Sequence, residues 1–164
     1  NETSAAWKIA LENKNKPTAL VLTRQGLATI PSAKAKEAKK GAYVLEEDQG
    51  FEIILMASGS EVEITVEAKR HLNEIGKKVR VISMPSVDVF EAQTEEYKKS
   101  VLADNSVPKV AIEAGATGLW HKYLAGNGTV IGLDRFGASA PAKELFAKFG
   151  LTAENVAEKA IELL

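Results

Sequence analysis

The stretch FEIILMASGSEVE, residues 51–63, constrains the fold more than any other part of the chain, because its hydrophobic period changes within a few residues. A near-continuous apolar run, Ile53 to Ala57, gives way at Ser58, Gly59 and Ser60 to the periodic segment EVEITVEAKRHLNEIG. The pattern reads as a strand, a tight turn and a helix. A strand apolar at successive positions is covered on both faces, as central strands of parallel sheets are. The small-residue turn also exposes backbone N–H groups at the positive end of a helix dipole, where phosphate can bind. The plainer account is a capping box, in which the Ser60 hydroxyl takes the amide of Glu63 and the Glu63 carboxylate reaches back. We take the capping box as the expectation and the anion site as its alternative.

Upstream of this stretch, Thr3 or Ser4 is expected to cap a first helix carrying Trp7, Ala10 and Leu11 on one face, ending before Pro17. TALVL, residues 18–22, reads as a short buried strand, so this part is an incomplete α/β unit. Residues 25–40, rich in Ala, Lys, Gly and Pro, read as a connector crossing the surface, with the lysine run solvated. AYVLE, residues 42–46, is a strand joined too closely to the next for a crossover. It should lie antiparallel at an edge or leave the sheet.

Downstream, Ile64, Ala68, Leu72 and Ile75 form one helical stripe, closed by Gly76 as a left-handed cap residue. KVRVISM is a strand stopped by Pro85, and Ser86 and Thr94 each open a short helix. KVAIEAG is a strand, GLWHKYLAG a helix, and TVIGL the last strand. Pro141 opens a helix ending near Gly150, and Thr152 caps a final one with Val156, Ala160, Ile161 and Leu164 facing inward. The alternation from residue 51 onward predicts an α/β fold, a largely parallel sheet with helices on both faces.

Composition excludes several kinds of function. With 164 residues, 45% hydrophobic and 26% charged, the chain has the make-up of a soluble globular protein with one ordinary core. A formal net charge of -1 gives no electrostatic reason to expect nucleic acid or a membrane as partner. The absence of cysteine removes disulfides, thiolate nucleophiles and Cys-ligated metals. No signal peptide or spanning segment is evident, so the expected location is cytoplasmic. The chain starts without Met and almost at once enters a helix, which suggests a piece of something longer.

In such sheets ligands gather outside the carboxyl ends of the strands. Those ends carry Ser58, Gly59 and Ser60; Met84, Pro85 and Ser86; Glu113, Ala114 and Gly115; and the loop from Asp134 to Gly137. The first lacks both the dinucleotide glycine spacing and the Gly-Lys-Ser/Thr end of a phosphate loop. Arg135 offers a bidentate grip on a phosphate or carboxylate, or else a salt bridge or subunit contact. Glu113 ends a buried strand without a second carboxylate beside it in sequence, so it supports no acid/base role. His71 and His121 lack metal-ligand spacing and read as solvated or packing residues. No serine or threonine sits in a nucleophile elbow.

Several strings together resemble transketolase. PTALVLTRQGL, residues 17–27, is similar to the family's strand carrying Leu-Ser-Arg-Gln, with Thr23 in place of the usual Ser. GSEVEITVEA, VRVISMPSVDVFEAQ, EYKKSVL, DRFGASAPA and FGLTAENVAEKA resemble successive landmarks of the carboxyl-terminal part, in order and at matching spacing. Related thiamine enzymes, deoxyxylulose-phosphate synthase and the decarboxylating component of pyruvate dehydrogenase, share a similar domain, but DRFGASAPA favours transketolase.

The resemblance implies a carboxyl-terminal fragment of an enzyme that moves a two-carbon ketol unit from a ketose phosphate to an aldose phosphate, in the pentose phosphate pathway. Thiamine diphosphate and a divalent metal, Mg or Ca, serve the full-length parent, and their ligands would lie upstream of Asn1. It further implies that residues 1–25 end the middle, pyrimidine-binding domain, 26–40 link, and 41–164 form the carboxyl-terminal domain. That domain is a three-layer α/β/α sandwich on a mostly parallel five-stranded sheet, first strand antiparallel. By the same match Arg24 holds the sugar phosphate, as a guanidinium with several fixed donors can. The fragment alone would be inactive, contributing to a homodimer and to substrate binding. The alternative is a noncatalytic regulatory, anion-binding or assembly module of a related thiamine-diphosphate enzyme.

Overall fold

The computed structural model describes residues 1–164, the side chains of Ser32 and Ala33 excepted. Five strands form one sheet: β1 (Tyr43–Glu47), β2 (Ile53–Ala57), β3 (Val79–Ser83), β4 (Lys109–Ile112) and β5 (Gly128–Ile131). Their order is β1-β3-β2-β4-β5, with β1 antiparallel to β3 and the other pairings parallel. Of the two outcomes its short connection to β2 allowed, an antiparallel edge or a place outside the sheet, β1 takes the first. A bulge between Val44 and Glu46 shifts its register on β3.

Every residue of β2 is buried, and its alternate side chains feed two cores. Ile53, Leu55 and Ala57 join one cluster with Leu72 of α3 (Glu61–Glu74) and Val156 and Ala160 of α7 (Ala153–Leu163). Ile54 and Met56 join another with Phe90 of α4 (Val87–Glu91), Val101 of α5 (Glu95–Leu102) and the aromatic pair Trp120 and Tyr123. The helices therefore cover both faces, and the fold is the three-layer α/β sandwich that the alternation predicted. α6 (Ala142–Lys148) starts directly after Pro141.

The caps follow local chemistry where the backbone allows it. Ser86, Thr94 and Thr152 are extended and accept the amides of Val89, Tyr97 and Asn155. Gly76, at φ +80°, ends α3 with bonds from its own amide to the Asn73 carbonyl and from Lys77 to the Leu72 carbonyl. This is the paired closure that a left-handed residue provides.

Several expectations are overturned. The first helix, α1 (Glu2–Glu12), starts after Asn1 rather than Thr3 or Ser4, and the Asn1 side chain donates to the Ile30 carbonyl instead of capping. Residues 18–22 are not a strand. No described strand lies alongside to complete a ladder, and Val21 is 94% exposed. The connector is partly helical: α2 (Ser32–Ala35) runs into a 3₁₀ turn (Lys36–Lys40), with Ala35 and Ala38 buried. Small side chains let that turn press against the sheet domain, which composition alone does not reveal.

The Trp120 segment forms two 3₁₀ turns (Thr117–Leu119 and His121–Tyr123) in place of one α-helix. Ile75, Ile161 and Leu164 are half-exposed rather than inward-facing, and at the end of α7 it is Leu163 that packs against the core. Among the described residues no helix is long and apolar enough to cross a membrane.

Candidate functional site

The carboxyl ends of β2 and β4 bring together the turn of residues 58–60 and Glu113. The Ser58 hydroxyl donates to Glu113 Oε2 at 3.0 Å, and the Ser60 hydroxyl donates to Glu61 Oε1 at 2.9 Å. The capping box does not form. Ser60 has helical backbone angles, φ -67° and ψ -27°, rather than the extended ones that aim a capping hydroxyl at the third amide. Glu63 points to solvent. The first amides of α3 are instead taken by the turn itself, Glu61 N–H to the Ser58 carbonyl and Val62 N–H to that of Gly59.

This geometry disfavours an anion here for a reason different from capping. Both hydroxyls are committed to carboxylates, and Glu61 is only 3% exposed. Its carboxyl is pushed above the ordinary range by burial and, further, by the charge of Glu113, against the bond from Ser60. A second carboxylate therefore does stand near Glu113, contrary to the expectation drawn from sequence neighbours. The missed signal was the stripe Glu61, Thr65, Ala68 and Leu72, whose spacing places Glu61 on the buried face of α3.

The loop after β5 is occupied by its own chain. Asp134 accepts from the Thr117 amide at 2.9 Å and its hydroxyl at 2.7 Å, which caps the first 3₁₀ turn and holds the carboxyl below its usual range. Arg135 donates to the Phe136 carbonyl and lies over the Phe149 ring at 5.7 Å. His71 faces Glu67 at 3.6 Å along α3, and His121 is exposed.

Arg24 stands apart from these groups, on the exposed stretch following Pro17, with no hydrogen bond or ion pair among the described residues. Beside it, the Thr23 hydroxyl accepts from the Gln25 amide at 3.3 Å. A cavity of about 380 Å³ lies between residues 27–31 and α3, with Glu2, Glu46, Glu63, Glu67 and Arg70 on its walls. That wall is predominantly acidic and again unsuited to phosphate. Among the described residues no three or more His, Asp or Glu gather as a metal ion's ligands would.

The family of transketolase-like C-terminal domains matches residues 41–152. The chain belongs to the transketolase family. Transketolase 2 of Vibrio parahaemolyticus is 48% identical over 99% of the chain and transketolase 2 of Escherichia coli 47%, the chain spanning 25% of each. The transketolase from Leishmania mexicana superposes with a TM-score of 0.91 at 39% identity, over 99% of this chain and 23% of that one. A Pichia stipitis transketolase complexed with sedoheptulose-7-phosphate gives the same TM-score at 42% identity, over 99% and 24%. The chain thus corresponds to a carboxyl-terminal portion of transketolase, about a quarter of the length of those relatives. The five-stranded sandwich is the transketolase carboxyl-terminal fold.

Proposed function

We propose that this chain acts as part of a transketolase that transfers a two-carbon ketol unit from a ketose phosphate to an aldose phosphate. The observation that carries the reading is the continuous likeness to transketolases across 99% of the chain, in sequence and in three dimensions. One of those relatives was solved with a sugar phosphate, which supports the same substrate class here. In this reading residues 1–25 close the middle domain, 26–40 link, and 41–164 are the carboxyl-terminal domain of a cytoplasmic homodimer in the pentose phosphate pathway. Thiamine diphosphate and a divalent metal supply carbanion chemistry in the full-length enzyme, bound by residues outside this chain.

Arg24 is the residue of this chain proposed to touch substrate. Its guanidinium is exposed and uncommitted among the described residues, as a group awaiting a dianion must be. Its task is to bind and orient the phosphate, so that binding energy far from the reacting carbons positions them. The test is Arg24→Ala in the full-length enzyme. Losing a charge-assisted contact of about 1.5 to 3 kcal/mol predicts kcat/KM lowered roughly 10- to 150-fold for phosphorylated sugars and little changed for unphosphorylated ones. An equal loss with both classes removes Arg24 from this role.

A further inference from the structure

The first helix meets the sheet chiefly through one side chain. Glu2 Oε1 accepts from the Tyr43 hydroxyl at 2.8 Å and from the Ser83 hydroxyl at 2.6 Å. These donors are cross-strand partners on β1 and β3, Tyr43 2% exposed and Ser83 fully buried. Both side chains are all but excluded from solvent, so losing that carboxylate would leave two buried hydroxyls short of an acceptor. Burial first, and then Glu2, drives the Tyr43 phenol above its ordinary range, which keeps it protonated and donating.

Besides Glu2, α1 lies along the 3₁₀ turn of residues 36–40, with Ala6, Ile9 and Ala10 half-buried, but it makes no deep packing contact. None of its residues is buried, and Ala5 is only partly buried where it packs against the core. The helix in turn holds the segment that follows. Asn1 Nδ2 donates to the Ile30 carbonyl at 2.5 Å, and Asn13 Nδ2 donates to the Thr18 hydroxyl at 2.9 Å. Residues 13–30, Arg24 among them, are therefore tied at both ends to α1, and α1 is tied to the sheet by Glu2.

We infer that Glu2 is a positioning residue: clamped by Tyr43 and Ser83, it sets where the Arg24 segment stands against the five-stranded domain and so tunes recognition of the sugar phosphate without touching it. The inference rests on the reading of Arg24 above, and it makes the carboxyl-terminal domain an active partner in substrate recognition. Glu2 and Arg24 lie at opposite ends of one tethered unit. Loosening the clamp should therefore spread the orientations of Arg24 and weaken phosphate binding, leaving the chemical step alone.

Hydrogen exchange on the 164-residue chain reads the clamp directly, whatever Arg24 binds. Glu2→Ala and Ser83→Ala should each speed exchange of the hydrogen-bonded amides in residues 5–13 by about tenfold or more, a change of roughly 1.4 kcal/mol. The double variant should exchange no faster than the faster single one, because both remove the same contact. Glu2→Gln, which keeps an acceptor oxygen, should restore most of the protection. Additive effects, or unchanged exchange in residues 5–13, overturn the clamp. In full-length transketolase, Glu2→Ala should raise KM for phosphorylated sugars about tenfold, hold kcat within about twofold, and spare unphosphorylated sugars. If Arg24→Ala is selective for phosphate and Glu2→Ala is not, the positioning role is overturned. If Arg24→Ala shows no such selectivity, the reading of Arg24 falls and takes this role of Glu2 with it, while faster exchange would still establish the clamp.

Discussion

Leu55 and Val21 both sit in short apolar runs, IILMA and ALVL, yet Leu55 is completely excluded from solvent while Val21 is 94% exposed. The run of β2 has β3 on one side, β4 on the other and a helical layer on each face. The run at residues 19–22 has none of these among the described residues. Apolar residues make a strand only when partners supply the ladder and the cover, so hydrophobicity is a demand for neighbours rather than a source of structure. The sheet domain meets that demand internally. Residues 1–31 meet it only in part, through Ala5, Ile30 and the polar clamp of Glu2.

The sharpest way to break the packed side of this comparison is at the junction, Gly41. Its φ is +85°, and a Cβ built there would lie 2.2 Å from the Phe90 amide nitrogen and 2.4 Å from the Ser86 carbonyl oxygen. Gly41→Ala should therefore cost about 4 kcal/mol, combining backbone strain with overpacking. Gly59→Ala is the control, at φ +53° but with open space around its Cβ, and should cost only about 1 kcal/mol. Equal losses in urea unfolding would mean that the close approach at Gly41 carries no weight. Next comes Leu55→Ala, which empties the centre of a fully buried strand and should cost about 3 kcal/mol by the same measurement.

Much of the packed side was legible because its signals are local. The β2 run, Gly76 and the caps at Ser86, Thr94 and Thr152 each depend on a few neighbouring residues, and each stands where expected. The resemblance supplied what local pattern left open, that the first strand stays in the sheet and that the strands number five. What stayed hidden depends on contacts between distant positions. Ser60 has the right chemistry for a cap and the wrong backbone angles, because the tight turn of residues 58–60 already continues as helix. Ala35 and Ala38 look like linker residues until the sheet domain is packed beside them. The bonds of Glu2 reach across 41 and 81 residues, and no spacing rule points to them. The neighbourhood of Glu61 and Glu113 was hidden in the same way, their elements being brought side by side only by the sheet.

A milder break uses Asp48, which ties the turn after β1 to α3 and β3. It accepts from Lys69 at 2.7 Å, Asn73 at 2.6 Å and the Val79 amide at 3.0 Å. Burial alone would raise its pKa, but these bonds outweigh burial and lower it from 3.8 to about 2. Because the folded value is depressed, the stabilisation is complete above 3.8 and fades as pH falls toward about 2. Asp48→Ala should cost about 2 kcal/mol at neutral pH, with the group half-wet and so at the low end for bonds to a charge. The gap between wild type and variant should close on acidification; a gap independent of pH would mean that the ion does not matter.

The smallest effect bears on the other side of the comparison. Leu11 is 75% exposed on α1, and in a packed helix its replacement by Ser would cost several kcal/mol. In this chain Leu11→Ser should change stability by less than about 0.5 kcal/mol, as surface substitutions do. Trp7, 54% exposed on the same helix, should behave likewise when changed to Ser. If residues 1–25 are the end of a middle domain, as proposed, the same two substitutions made in the full-length transketolase should cost far more, because the missing neighbours are then present. A small effect in both settings would show that the Trp7 and Leu11 face of α1 meets solvent in the full-length protein too. A large effect in the isolated chain would show that the exposed face already packs against something, such as a second copy, and a concentration-dependent unfolding midpoint would identify that case.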